Sequence, residues 1–258
     1  MENENTTMLF LVMGGGTMVL ATEVRAVTRS VVSHLELQLF LLEMLATFQL
    51  CACFGVLHPL AHMENHTQLY LGHLYSFLTM HFLLTLSESI SNPTGILLDI
   101  LQKGISMKLG GLKIAAQFIG AFLAKLYQNA IWFVGISDLF PHPQECSNPL
   151  KTYFLKALCT ELVTSITFQL TVLQSQSQEI RVRANVLSLT ITSLVYAGGH
   201  LTGAIFNPAL AFSLHISCFA QPDKFWNYLL VYWVAPCIGS VLVFLFWDEI
   251  LPLLHRQG

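Results

Sequence analysis

The sequence predicts an all-α membrane protein: six transmembrane helices and two re-entrant half-helices in an inverted repeat, with an extra apolar N-terminal segment. Three observations carry that expectation. Of the 258 residues, 54% are hydrophobic and only 10% are charged. A soluble domain carries roughly a quarter charged residues, so this chain lacks the surface a water-soluble globule needs. Long apolar runs recur, and two short ones begin with Asn-Pro. The landmarks of the first half reappear, in order, in the second.

The long runs lie near 37–57, 69–86, 110–135, 155–173, 184–200 and 226–247. Each is long enough for roughly 30 Å of hydrocarbon, which takes about 20 helical residues. The short runs, 93–101 and 208–217, are too short to span and read as re-entrant half-helices. Non-helical backbone at membrane depth is tolerated only where it lines a cavity, so two such pieces point to a pore. The segments expected are 1–34 with the extra apolar stretch, a first repeat over 35–135, a connecting loop over 136–154, a second repeat over 155–250 and a tail over 251–258.

Basic residues orient the spans, because cytosolic loops are enriched in Lys and Arg. Arg25, Arg29, Lys103, Lys108, Lys113, Arg181, Arg183 and Arg256 fall on one side, and Lys151, Lys156 and Lys224 on the other. That places the loops near 99–113 and 174–183, and the C-terminus, in the cytosol. The sequon at Asn65 then lies on the lumenal or extracellular side. A second sequon starts at Asn5. For residues 8–22 two readings are open, a seventh short span or a segment in the interface. Arg25 and Arg29 just after the run favour a crossing, and Gly14, Gly15 and Gly16 weaken a helix. Two acidic residues and no basic region precede the run, so a cleaved signal peptide is not expected.

The repeat is specific. Glu43-Met-Leu-Ala-Thr-Phe-Gln-Leu50 parallels Glu161-Leu-Val-Thr-Ser-Ile-Thr-Phe-Gln-Leu170, and Ala116-Gln-Phe-Ile-Gly-Ala-Phe-Leu123 parallels Ala235-Pro-Cys-Ile-Gly-Ser-Val-Leu242. Asn92 follows Glu43 by 49 residues, and Asn207 follows Glu161 by 46. A glutamate inside an apolar run is rare because it is expensive there. Three spans per half force the second copy to enter upside down, with the site at the midplane.

Asn favours the N-cap of a helix and Pro its first position. An isolated Asn-Pro, such as Asn148-Pro149 in a polar loop, signifies only a turn or a helix start. The pairs at Asn92, Pro93, Thr94 and at Asn207, Pro208, Ala209 occupy corresponding places of the repeat. Inverted symmetry brings two half-helix N-termini together, with their partial positive charge and unpaired N–H groups. The Asn amides can donate to a passing oxygen, while a cation, hydronium included, meets a barrier. Glu43 and Glu161 are expected to brace the loops by accepting their N–H groups; a proton relay is the other reading. Thr94 adds a hydroxyl that either faces the lumen or bonds back into its own turn.

Together these boxes, Glu43, Glu161, Gln117, Tyr232-Trp233-Val-Ala-Pro236 and Leu201-Thr202-Gly203-Ala204-Ile-Phe-Asn207-Pro208-Ala209 resemble the aquaporin family over about residues 35–250. The superaquaporins, its unorthodox intracellular branch, are the nearest likeness. The Asn-Pro-Thr box, Leu210 after the second box, Val195-Tyr-Ala-Gly-Gly-His-Leu-Thr-Gly203 and the extra apolar N-terminus carry it. The resemblance implies a right-handed bundle, a homotetramer with one pore per subunit, and water, glycerol and hydrogen peroxide as cargo. It also implies residence in endoplasmic reticulum or another intracellular membrane, with the plasma membrane a further possibility. Most aquaporins place an Arg where this chain has Leu210. The same alignment puts Val195, Ala204 and, more loosely, Gly72 at the other filter positions, an apolar set.

No cofactor, metal or nucleic-acid partner is expected; the partners are the bilayer and small neutral solutes. The net charge of -3 is small and spread out, so nothing suggests nucleic-acid binding, and no His/Asp/Glu group has ligand spacing for an intramembrane enzyme. A seven-span receptor leaves the paired Asn-Pro segments unexplained. The rival class is a non-conducting structural or adhesion protein of the same fold, which Leu210 keeps open. Cys51, Cys53, Cys159 and Cys237 read as small hydrophobes. A Cys146–Cys218 disulfide and free thiols are both open. For His81 and His200 the alternatives are a pH gate or ordinary hydrogen-bonded packing.

Overall fold

A computed structural model describes residues 2–57, 67–133, 150–216 and 222–255. Asn65, Cys146, Asn148, Cys218 and position 217 lie outside the described residues, as does the side chain of Asn5. Among the described residues the regular structure is helical: α1 (Glu2–Val31), α2 (Leu35–Leu57), α3 (Thr67–Thr85), α4 (Pro93–Leu101), α5 (Met107–Phe133), α6 (Phe154–Ser175), α7 (Ile180–Thr202) and α8 (Pro208–His215). A last rod joins α9 (Pro222–Leu229), a π turn at Leu230–Val234, α10 (Ala235–Phe244), a second π turn at Leu245–Ile250 and α11 (Leu251–His255).

Leu35–Leu57, Met107–Ile131 and Lys224–Leu254 are long and apolar enough to cross a membrane by composition alone. Helices α3, α6 and α7 have the length but carry more hydroxyl residues. Several of those hydroxyls are satisfied internally: Thr167, Thr171 and Thr190 each donate to the carbonyl four residues back at 2.8–2.9 Å. A group bonded to its own helix can face hydrocarbon.

The packing follows the inverted repeat. Helix α2 packs on α5, and its counterpart α6 packs on α10; α3 meets α7, and each half-helix lies against the opposite repeat, α4 on α10 and α8 on α5. The repeated glycines explain the tight pairs. A Cβ at Gly120 would stand 2.3 Å from the Met44 carbonyl oxygen, and one at Gly239 would stand 2.9 Å from Ser165 Oγ. Ser165 Oγ donates to the Pro236 carbonyl, which fastens α6 to α10 at that crossing.

The N-terminal run is a continuous 30-residue helix, so its glycines do not break it. It lies antiparallel along α2. From Gly14 to Val32 its partners fall from Cys53, through Gln49, to Gln38. Buried Gly14 lets the backbones approach closely enough for Cys53 Sγ to reach its carbonyl at 3.7 Å. Packing outweighs helix propensity there. The outer face of α1, including Val12, Val19, Val27 and Val31, is exposed and apolar, as a lipid-facing surface requires.

Two basic residues counted with the cytosolic loops sit elsewhere. Arg25 is fully buried within α1, and Lys113 is mostly buried within α5. Both have polar partners on α2, which outcompete water for the guanidinium and ammonium. Cys159 is exposed on α6, whereas Cys51 and Cys53 are buried.

Candidate functional site

Both half-helices start as their local chemistry dictates. Asn92 caps α4, its Oδ1 accepting Thr94 N at 3.0 Å, with Pro93 in the first turn. Asn207 caps α8, accepting Ala209 N at 3.0 Å and Leu210 N at 3.3 Å, followed by Pro208. The residues before the caps, Ser91 and Phe206, have φ of 56° and 35°. Such left-handed backbone is costly for side chains larger than Gly, and strain of this kind gathers at functional sites.

The two caps hold each other. Asn207 Nδ2 donates to the Ser91 carbonyl at 2.8 Å, and Asn92 Nδ2 to the Phe206 carbonyl at a long 3.5 Å. Each Asn therefore bridges to the residue before the opposite cap, so the two N-termini meet. One N–H of each amide is engaged in this way and the second remains to donate.

A glutamate braces each loop. Glu43 Oε1 accepts Ile90 N at 3.0 Å, Ser91 N at 2.7 Å and Gln117 Nε2 at 2.8 Å, while Oε2 pairs with Lys113 Nζ at 3.1 Å. Glu161 Oε1 accepts the Thr202 hydroxyl at 2.6 Å and Ile205 N at 3.2 Å, and Oε2 accepts Phe206 N at 2.6 Å. Both carboxylates are fully buried. Three or four hydrogen bonds compensate each one for the water it lost. Among the described residues no cation pairs with Glu161 as Lys113 does with Glu43; the Thr202 hydroxyl donates to it instead.

The Thr94 hydroxyl turns inward. It donates to Asn92 Oδ1 at 2.8 Å and accepts Gln169 Nε2 at 2.9 Å, so it stiffens the cap and ties it to α6. It is not a lumen-facing group. His81 is buried and bonded to Gln49 at 3.1 Å, whereas His200 is exposed.

The four filter positions are not alike. Ala204 and Leu210 are buried; Leu210 packs in an apolar cluster with Ile205, Tyr228, Val231 and Tyr232. Val195 is half-buried against the cluster holding Phe168, Ile191 and Phe206. Gly72 is exposed, with nothing within 4 Å of where a Cβ would stand. Sequence reasoning missed Phe168 and Phe206, whose rings meet at 5.2 Å beside the second cap, and Arg25. The repeated Phe-Gln-Leu matches Phe168 to Phe48, which packs in a different cluster, so the repeat carried no signal for this contact.

The family model described as Major intrinsic protein matches residues 6–247. Human Aquaporin-11 is 38% identical over 236 residues, covering 90% of this chain and 86% of that protein. Human Putative aquaporin-12A is 31% identical over 191 residues, covering 70% and 64%. Among solved structures, the X-ray structure of the aquaglyceroporin from Plasmodium falciparum superposes with a TM-score of 0.70 at 23% identity. It covers 86% of this chain and 99% of that one.

Proposed function

The chain belongs to the major intrinsic protein family, the aquaporins, and from that premise we propose a passive channel for water and small neutral solutes, glycerol and hydrogen peroxide among them. The observation that carries this reading is the mutual bridging of Asn92 and Asn207, which joins two half-helix N-termini. A solute oxygen passing them meets two amide donors and the positive ends of two helix dipoles. A cation meets the same dipoles as a barrier.

Selectivity in this reading is set by Gly72, Val195, Ala204 and Leu210, an apolar set with no cationic side chain. Such a constriction offers little to replace the hydration of water and favours less polar molecules. Glu43 and Glu161 act as loop braces rather than proton carriers. That role is supported by the backbone N–H groups each accepts. We place the channel in an intracellular membrane, assembled as a homotetramer, with Asn5 and Asn65 on the lumenal side.

The test is flux of water, glycerol and hydrogen peroxide through purified protein in proteoliposomes, with Asn207→Ala alongside. Flux that falls in the variant supports the reading. Fast water flux with no solute flux removes the proposed selectivity. No flux of any of the three leaves a non-conducting structural protein of this fold.

A further inference from the structure

The loop that leads into the first Asn-Pro box, residues 86–91, is held from two sides. One side belongs to the repeat: Glu43 accepts Ile90 N and Ser91 N. The other belongs to α1, which lies outside the repeat. Arg29 Nε donates to Glu88 Oε1 at 2.7 Å and its Nη2 to Oε2 at 2.8 Å. A bidentate pair of this kind fixes orientation as well as distance. Glu88 is also the acid whose charge reaches Arg25, one turn back on α1. The two arginines of α1 thus share one carboxylate, and it sits in this loop.

The hold is built at both ends. Gln38 of α2 donates to the Arg29 carbonyl at 3.2 Å and to the Val32 carbonyl at 3.0 Å, so the end of α1 that carries Arg29 is itself fastened. In the loop, Glu88 N and Ser89 N donate to the Thr85 carbonyl at 3.0 and 2.9 Å. Thr85 Oγ1 donates to the His81 carbonyl at 2.7 Å, His81 meets Gln49 at 3.1 Å, and Gln49 accepts Arg25 Nη1 at 2.7 Å. Helix α1 therefore reaches the loop twice, directly through Glu88 and by way of Gln49, His81 and Thr85. Three residues past Glu88, Ser91 has φ of 56° and its carbonyl receives Asn207 Nδ2 at 2.8 Å. A residue in left-handed backbone keeps its place where its surroundings over-determine it. The second box is held differently. Its braces are Glu161 and Tyr232, which donates to the Thr202 carbonyl at 2.6 Å, and both lie within the second repeat.

We propose that Arg29 is a positioning residue for the first Asn-Pro box: α1 holds, through Glu88, the loop whose Ser91 carbonyl carries Asn207. The consequence for flux rests on the channel reading above. The N-terminal helix is then a working part of the channel, because it supplies one of the two grips on the first box.

The experiment measures amide hydrogen exchange over residues 86–91 beside glycerol and hydrogen peroxide uptake per incorporated molecule, for wild type, Arg29→Gln, Arg29→Lys and Lys108→Gln. Arg29→Gln deletes the charge, and Arg29→Lys keeps it with a single donor group. Lys108→Gln is the control: it breaks the 2.7 Å Glu36–Lys108 pair without touching the loop. In Arg29→Gln the N–H groups of Glu88, Ser89, Ile90 and Ser91 should exchange about fivefold faster, which at 1.4 kcal/mol per tenfold is about 1 kcal/mol, the upper end for a partly exposed ion pair. Uptake should fall with it, while exchange in the other helices holds. Arg29→Lys should lie between Arg29→Gln and wild type, and Lys108→Gln should change neither readout. Unchanged loop exchange in Arg29→Gln overturns the assignment, as does an increase spread over every helix, which marks general loosening. Faster loop exchange with uptake intact, in a conducting wild type, overturns the dependence of the box on α1. A wild type that carries no neutral solute defeats the channel reading, and the loop exchange then decides on Arg29 by itself.

Discussion

Removing the brace at the second box tests the architecture most directly. In Glu161→Ala, the buried N–H groups of Ile205 and Phe206 lose the acceptor they have in the structure, while the Thr202 hydroxyl can rotate to another. Each orphaned N–H costs about 1–3 kcal/mol, so the pair costs about 2–6 kcal/mol. For a domain of this size about 1 kcal/mol moves Tm by roughly 2–4 °C. A fall of about 5–20 °C in a detergent melting curve is therefore expected. The strained turn at Phe206 loses its anchor, so neutral-solute flux should fall further than stability. Glu161→Gln keeps one acceptor and faces Phe206 N with a donor, so its loss is about half as large. Glu43→Gln should be worse than Glu161→Gln, because it also strands Lys113. Equal melting points for wild type and Glu161→Ala would refute the bracing argument outright.

Further outcomes follow from the same contacts. Thr94→Val keeps the shape but leaves Gln169 Nε2 without its acceptor, which costs about 1–3 kcal/mol by thermal melting; an unchanged Tm contradicts the inward hydroxyl. Gly120→Ala drives a Cβ into the Met44 carbonyl and should cost about 1–3 kcal/mol or more, whereas Gly111→Ala, with open space around it, should gain up to about 1 kcal/mol. A melting series that ranks these two the other way contradicts the α2–α5 packing. Because α1 runs antiparallel to α2, the N-terminus should share a side with the C-terminal end of α2. Endoglycosidase-sensitive glycan at Asn5 in microsomes is the expected readout, and protease digestion of the N-terminus from the cytosolic side would contradict it.

Much of the membrane architecture was legible because its causes are local. A run of apolar residues specifies a crossing wherever it sits, and Asn followed by Pro caps a helix through groups two or three residues away. So α4 begins at Pro93 and α8 at Pro208, as the motifs require. The repeated Glu, Asn-Pro and Gly landmarks carried the symmetry, since each residue type is expensive in an apolar helix unless something demands it.

Partner choice at long range was not legible. Nothing near Thr94 in the chain says that Gln169 will meet its hydroxyl, and nothing near Lys113 says that Glu43, 70 residues away, will take its ammonium. Arg25 read as a loop charge because sequence position shows charge without direction; only the packing of α1 on α2 turned it inward. Gly14 read as a helix weakener because propensity is intrinsic, while the close approach that rewards it exists only once α2 is alongside. The sequence by itself determined the crossings, the two half-helix starts and their repeat. The tertiary structure alone decided which buried charges are matched, because compensation depends on distances of a few ångströms between residues far apart in the chain.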